Sequence, residues 1–488
     1  MGFTLLHSGQ PSAKRLLKRL EMCKGTDSIQ QVANDDIVIR WGNFQFEREF
    51  HLELNPRLAI ANTQNRLHML RMLQRSGIRC PIDSDSNTLK NPTMVRQYRV
   101  PIFDLKPLTC FRSDGKDIWL NKRITQVQDS FQEVSPDHDA VTAKVCLYAA
   151  RAIHTLGLDF GLVSIGTNAR GWMYVLDVTP NPILKGRMLD VFSKAIRSYI
   201  ADDAQAPNAY QSFLIGTDLE FMLRNQQGKM VLASKYFPRK GIVGCDARSI
   251  QRDGKRYPLA ELRPAPEKKP LDLFENLYHA MMEAKRLINR KGVAWLAGSM
   301  PFHGYPIGGH IHFSGIPFSS QIAKALDTYL AIPVMLIEDP QSSTRRRPRY
   351  GFLGDIRHKD HGGFEYRTPG SWIVNPDIAK AVICLAYLVA QYHRQLAYNP
   401  FVDADVQQAF YASNKLYFRP IFERVWSELS QLPNFGDYKQ QLQIIADMVR
   451  QEECWNESED IKRNWRISSA VPTSITNANR KSLARRLG

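Results

Sequence analysis

Ionisable side chains recur at alternate positions in four short apolar segments of this chain. His310 and His312 alternate with Ile311 and Phe313, and Glu365 and Arg367 alternate with Phe364 and Tyr366. Asp218 and Glu220 follow Gly216-Thr217, and Glu261 and Arg263 repeat the Glu–x–Arg spacing. On a β-strand, residues i and i+2 share one face of the sheet. The pattern therefore predicts strands with imidazoles, carboxylates or guanidinium groups on one side and apolar residues on the other. Such a face is costly to desolvate unless something charged meets it. A metal–phosphate complex answers that need, because hard metal ions take carboxylate oxygens and arginine matches phosphoryl oxygens. Each feature alone has a plainer reading. A lone Glu–x–Arg is a surface ion pair contributing about 0–1 kcal/mol, His-x-His a zinc pair or a solvated face, and the run Arg345 to Arg349 a solvated loop. Their recurrence is what carries the joint reading. No Ser–His–Asp or Cys–His arrangement is spaced for hydrolysis.

The elements that must position these residues read as follows. Asn62 to Ser76 and Thr142 to Leu156 have helical spacing and end at Gly77 and Gly157. Ser12 to Cys23 reads as an amphipathic helix, Ile37 to Gly42 as a short buried strand and Tyr98 to Leu105 as another. Asp159 to Ile165 and Trp172 to Val178 form a hairpin across a polar turn. Ile200 to Gln211 is the expected linker. Beyond it, Leu271 to Lys291, Gln321 to Ile337 and Asp377 to Tyr392 are expected helices, and 400–465 is helix-rich with no evident chemistry. His68 and His154 sit in helical patterns and read as structural, as Trp372 reads as core.

Composition narrows the classes. The 488 residues allow two to four domains. No apolar run reaches the ~18 residues of a membrane helix, and Met1 to Leu6 lacks a signal-peptide pattern. The seven cysteines are scattered without a CxxC pair, which points to a reducing cytosol and leaves Cys245 an ordinary buried thiol. Part of the net charge of +17 is concentrated in Arg345 to Arg349 and in Arg480, Lys481, Arg485 and Arg486 near the C-terminus. It suits phosphate-facing arginines and leaves nucleic acid open as a partner.

The ordered series Gly-Thr-Asp-Leu-Glu-Phe (216–221), Glu-Leu-Arg-Pro (261–264), Gly-Gly-His-Ile-His-Phe (308–313), Leu-Gly-Asp-Ile-Arg (353–357) and Glu-Tyr-Arg-Thr-Pro-Gly-Ser-Trp (365–372) resembles the carboxylate–amine ligases of the glutamine-synthetase superfamily. Within them it is similar to the type 2 COOH–NH2 ligase group found largely in phages. The resemblance implies an α+β fold with a curved antiparallel sheet backed by helices, and ATP and Mg²⁺ as cofactors. Carried over, Asp218 and Glu220 match paired acids for two metals, and Glu261 and Glu365 match further metal acids. His310 or His312 matches the metal and phosphate histidine. Arg367 matches the phosphate arginine, with Arg349 and Arg357 as additional phosphate contacts and Arg263 in the catalytic set. Asp218 departs from the glutamine synthetases, which have Glu there. Asp246 matches a family position without an assigned role.

The first half resembles a second family. Arg40-Trp41-Gly42, Arg96 to Val100, Asp159-Phe160-Gly161 and Leu176-Asp177-Val178-Thr179 look like the ATP-grasp fold. Asp177 stands where that family has Glu, Thr179 where it has Asn, and Ser164 where it has Asp. Pro81 to Arg96 is too short for the usual lysine-bearing strands. One carboxylate remains where Mg²⁺ needs several hard ligands, so a scaffold or peptide-docking role is expected, with Asp177 in the plain reading a solvated strand-end acid. The expected division is an ATP-grasp-like α/β domain at 1–205, the ligase domain at 206–400, a helical extension at 401–466 and a basic tail at 467–488. The whole reads as a cytoplasmic enzyme, in the host cytoplasm if phage-encoded. It would join small-molecule or peptide carboxylates and amines, as a homo-oligomer or alone. Two rivals stand beside this: both domains turn over, or the chain is a basic scaffold on a ligase fold that binds nucleic acid or a virion component.

Overall fold

Three sheets follow one another along the chain. The computed structural model describes residues 2–34, 36–45, 50, 52–83, 88–89, 93–114, 123–249, 256–288, 292–360 and 362–467. Strands β1 (Phe3–His7), β2 (Cys23–Thr26), β3 (Ile37–Trp41) and β4 (Glu53–Leu54) form a parallel sheet in the order β2-β1-β3-β4. β1 and β3 are buried along their whole length and are mostly apolar, with Thr4, His7 and Arg40 as their polar residues. Strands β5 (Arg96–Phe103), β6 (Lys106–Pro107), β7 (Cys110–Ser113), β8 (Gln132–Val134), β9 (Phe160–Thr167) and β10 (Met173–Thr179) form an antiparallel sheet that contains the expected hairpin. The helix Ala140–Thr155, capped by the Asp139 side chain, packs on it.

The third sheet is antiparallel and carries the segments singled out above. Its strands are β11 (Leu214–Arg224), β12 (Met230–Val231), β13 (Val243–Cys245), β14 (Leu259–Leu262), β15 (Ala294–Leu296), β16 (Gly309–Ser314), β17 (Ile356–His358) and β18 (Phe364–Tyr366). They lie in the order β13-β14-β11-β16-β18-β17, with β12 and β15 pairing β11. One face packs Ile215, Leu219, Phe221, Leu262, Ile311, Phe313, Phe364 and Tyr366 against the helices Pro270–Leu287 and Pro376–Tyr392. The same buried core continues through Phe401, Phe418, Leu442 and Trp465 to Ile467. The chain thus has the expected α+β architecture, an α/β half followed by an antiparallel sheet backed by helices.

Several sequence expectations are corrected. The first helix is Pro11–Leu17, not Ser12 to Cys23, because Cys23 begins β2 and Leu20 is buried in the turn between. The second begins at Arg66, where Asn65 accepts from the His68 amide, and ends at Arg75. The expected linker is helical as far as Gln205, since Ile196 and Ile200 extend the buried face of the helix Gly186–Gln205. The helix expected over Gln321 to Ile337 widens into a π turn at Leu326–Ala331. That turn ends two residues before Pro333, which lacks an N–H and whose ring crowds the preceding turn. Asp177 is buried rather than solvated: Arg123 Nε lies 3.0 Å away and the Ile124 amide donates to it at 2.6 Å. The run Arg345 to Arg349 is not a solvated loop. Arg346 and Arg347 are buried, Arg346 donating to the carbonyls of Arg367, Thr368 and Pro369, and Arg347 pairing with Glu338 at 2.6 Å. The expected core residues Trp372 and Cys245 are buried, whereas His68 is exposed. Arg480, Lys481, Arg485 and Arg486 lie outside the described residues, and the helix expected over Leu271 to Lys291 spans Pro270–Leu287.

The two halves are joined by buried polar contacts. Lys324 pairs with Asp159 at 2.6 Å, Arg394 with Asp203 at 2.6 Å, and the Ser320 amide donates to Asp104 at 2.7 Å. Two cavities of about 670 and about 870 Å³ are lined by residues of both halves, and neither is lined by the polar face of the third sheet. No helix among the described residues is long and apolar enough to cross a membrane.

Gly309 shows how tightly the third sheet is packed. A Cβ there would lie 2.4 Å from the Trp372 ring and 2.6 Å from the Gly370 carbonyl. Trp372 Nε1 also donates to the Gly309 carbonyl at 3.1 Å. Gly309→Ala is expected to lower unfolding free energy by about 1–3 kcal/mol, measured by urea denaturation. An unchanged midpoint would contradict this packing.

Candidate active site

Strand register gathers the predicted residues on one face. Asp218 pairs with His310, Glu220 with Glu261, His312 with Glu365, and Glu365 with Arg357. Directly paired residues in an antiparallel sheet point the same way, so Asp218, Glu220, Glu261, His310, His312, Arg357 and Glu365 form one charged layer opposite the apolar core. Arg263 follows β14 and reaches the same layer through its ion pair with Glu261.

The layer has an acidic half and a cationic half. In the acidic half, ligand atoms of Glu220, Glu261 and His310 all lie within 4.8 Å of one another. Glu220 is buried, accepts from the Gly308 amide at 2.7 Å and meets Arg248 at 2.8 Å. Burial pushes the Glu220 carboxyl above its usual range, despite Arg248. Glu261 is pushed up to about 7 by burial and by the nearby charge of Asp218, with Arg263 opposing. Burial, reinforced by Arg367 and Arg346, holds the His310 imidazole well below its ordinary pKa, so the ring is neutral. Asp218 is also desolvated, but His312 at 3.1 Å brings its carboxyl below the usual range.

In the cationic half, Glu365 is 1% exposed and sits among four partners. Lys359 Nζ is 2.6 Å away, Arg367 Nε 3.1 Å, His310 Nδ1 3.2 Å and Arg357 Nη1 3.4 Å. Tyr350 ties the halves together: its hydroxyl lies 2.7 Å from His310 Nε2 and accepts from Arg367 Nη2 at 3.1 Å. Arg248 and Arg367 both stack over its ring, at 5.2 and 5.1 Å.

Two carboxyls raised by burial, beside a neutral imidazole, are donor types that suit a divalent cation. Adjacent ligands of an octahedral Mg²⁺ stand about 3 Å apart and opposite ones about 4 Å, so a small inward movement of these side chains suffices. The residues present therefore fit a divalent ion. Asp218 and Glu365 flank this trio without belonging to it. Arg357 is exposed at the rim, and Arg349 is exposed one residue before Tyr350.

Sequence reasoning missed Arg248, Lys359 and Tyr350. For two of them the signal was present. Arg248 stands two residues after Asp246, to which it donates at 2.6 Å, and Lys359 stands two after Arg357. The alternation rule, carried one step further, reaches both.

The comparison with known families is decisive here. The family described as phage phiEco32-like COOH.NH2 ligase-type 2 matches residues 215–467, just over half of the 488 residues. The chain belongs to this ligase family. The matched region begins in β11, contains the whole charged layer and runs through the helices that complete the core. No curated protein matches the chain. Among solved structures it is similar to the ATP-grasp ligase PsnB complexed with minimal precursor, at 11% identity over 41% of this chain and 99% of that one, TM-score 0.29. It is also similar to the macrocyclase MdnB from Microcystis aeruginosa MRC, at 14% over 41% and 98%, TM-score 0.27. A bifunctional glutathione synthetase from Pasteurella multocida matches at 11% over 55% and 53%, TM-score 0.33.

Glu365 is the shared anion of the cationic half. Glu365→Gln should leave Lys359, Arg367 and Arg357 facing one another and lower stability by about 3 kcal/mol, whereas Arg357→Ala at the exposed rim should change it by less than about 1 kcal/mol. Chemical denaturation of both variants measures the difference, and equal effects would contradict the buried-anion assignment.

Proposed function

We propose that the charged layer binds Mg²⁺·ATP and that the protein forms an amide bond between a carboxylate and an amine, each from a small molecule or a peptide. The observation that carries this reading is the convergence of Glu220, Glu261 and His310 beside a row of cations within a ligase-family region. Glu220, Glu261 and His310 would hold the metal, with Asp218 and Glu365 as flanking acids and His312 beside them. When bound, the metal neutralises charge on phosphoryl oxygens. Residues 1–205 are proposed as a supporting lobe, 206–400 as the lobe that carries the site, 401–466 as its helical extension and 467–488 as a basic tail.

The chemistry follows from the weakness of a carboxylate as an acyl donor. Its oxygen attacks the γ-phosphorus of ATP, the bond from phosphorus to the β–γ bridging oxygen breaks, and ADP leaves. The amine then attacks the acyl carbon of the resulting acyl phosphate, inorganic phosphate leaves, and the amine proton passes to a base or water. Both steps gather negative charge on phosphoryl oxygens. Arg367 and Lys359, held by Glu365, face that charge from the buried side, with Arg357 and Arg349 from the exposed rim. Arg263 keeps Glu261 oriented, and Arg248 does the same for Glu220. Such preorganised cations contribute through position and electrostatics, not covalent chemistry.

Calorimetric titration of Mg²⁺·ATP into the full-length protein and into Glu220→Gln/Glu261→Gln tests this. The wild type is expected to bind at roughly micromolar to sub-millimolar concentration, and the double variant to lose binding. ADP release should then appear when carboxylates and amines are supplied together. Binding that survives in the double variant would move the nucleotide elsewhere in the chain.

A further inference from the structure

A helix of the first lobe supports the loop that shapes the ligase-family site. That loop, residues 347–355, contributes Tyr350 and Asp355. Tyr350 contacts His310 and Arg367, and Asp355 lies 3.6 Å from Arg367. Beneath it runs the helix Ala140–Thr155, and two of its side chains, three residues apart and so on one face, reach the loop. The Arg151 guanidinium stacks on the Phe352 ring at 3.4 Å and donates to the Ser76 carbonyl at 2.6 Å. His154 packs against Gly354 so closely that a Cβ there would lie 2.4 Å from its ring.

His154 also starts a buried polar chain. Its Nε2 lies 2.7 Å from Asp327 Oδ2. Asp327 Oδ1 accepts from the Gly354 amide at 3.0 Å and from the Tyr366 hydroxyl at 2.7 Å. Tyr366 stands on β18 between Glu365 and Arg367, and Gly354 immediately precedes Asp355. One carboxylate, on the π turn of the helix beneath, thus fixes both segments that hold Arg367. Its remaining oxygen is satisfied from the other lobe. His154 Nδ1 has no partner, so the ring makes this one polar contact.

We infer that His154 is a positioning residue for the ligase-family site, acting through Asp327 on the Tyr366 strand and the Gly354 loop. The first lobe then has a definite role whether or not it binds a nucleotide: it completes the support of Arg367 and Tyr350. Removing the His154 donor leaves a buried carboxylate oxygen unpaired and frees Asp327 to release Gly354 or Tyr366. The role of the site itself rests on the Mg²⁺·ATP reading above, but the support can be measured without it.

The test uses the full-length protein and the variants His154→Ala, His154→Gln and Tyr366→Phe. The Gln amide can supply the donor that Ala lacks, and Tyr366→Phe removes only one hydroxyl. Hydrogen exchange by mass spectrometry should show faster exchange over 349–355 and 364–367 in His154→Ala, with the helix Ala140–Thr155 unaffected and His154→Gln restored. Tyr366→Phe should loosen 364–367 in the same way. Mg²⁺·ATP affinity should fall about tenfold in His154→Ala and in Tyr366→Phe, and return in His154→Gln, as for other supporting contacts. Unchanged exchange in both His154→Ala and Tyr366→Phe, or His154→Gln behaving like Ala, would overturn the inference. A wild type that binds no Mg²⁺·ATP would sink the nucleotide reading alone, and the exchange data would still decide the positioning role.

Discussion

Everything at the candidate site depends on charge balance across one buried strand face. The third sheet must place five carboxylate or imidazole side chains, Asp218, Glu220, Glu261, His310 and Glu365, where water is scarce. Each ion placed there loses solvation worth several kcal/mol unless the surroundings replace it. On the Glu365 side the chain does so with Lys359, Arg367 and Arg357. On the Glu220–Glu261 side it does so incompletely, and both carboxyls are raised as a result. That imbalance supports the cation proposed for this half, and it arises from the strands themselves.

The rest of the molecule holds this face rigid. The opposite side of the sheet packs a continuous core of Phe221, Trp295, Phe313, Tyr366 and Trp372 against two long helices. Gly309 lets β16 approach Gly370 and Trp372 where a side chain could not fit. Buried Arg346 gathers the three successive carbonyls of Arg367, Thr368 and Pro369 and so fixes the turn that leads to Trp372. The π turn before Pro333 brings Asp327 under the site, and through it the first lobe is joined to the second.

The charged layer was legible in the sequence because strand periodicity is two, so alternation alone placed His310 with His312 and Glu365 with Arg367. Sequence spacing could not say which strands would be neighbours. The registers that bring Glu220 to Glu261 and Asp218 to His310 depend on long-range pairing. Tyr350 was invisible for the same reason: an aromatic in an arginine-rich loop matters only once the loop folds back over β16. Arg346 and Arg347 were misread because a charge run suggests solvent, and only tertiary carbonyls and Glu338 make their burial affordable. Asp177 was misread likewise, as its partner Arg123 lies more than fifty residues away in the chain. The helix that overran the expected linker shows the opposite case, in which an Ala- and Asp-rich stretch kept helical spacing through Ile200.

The central claim is that the acidic half of this layer holds a divalent ion in contact with nucleotide phosphate. Anomalous diffraction from crystals grown with Mn²⁺ and a non-hydrolysable ATP analogue tests it most directly. The account predicts a manganese peak bounded by Glu220, Glu261 and His310, with the terminal phosphate turned toward Arg367. A peak at Asp177 in the first lobe, with none at the trio, would contradict it.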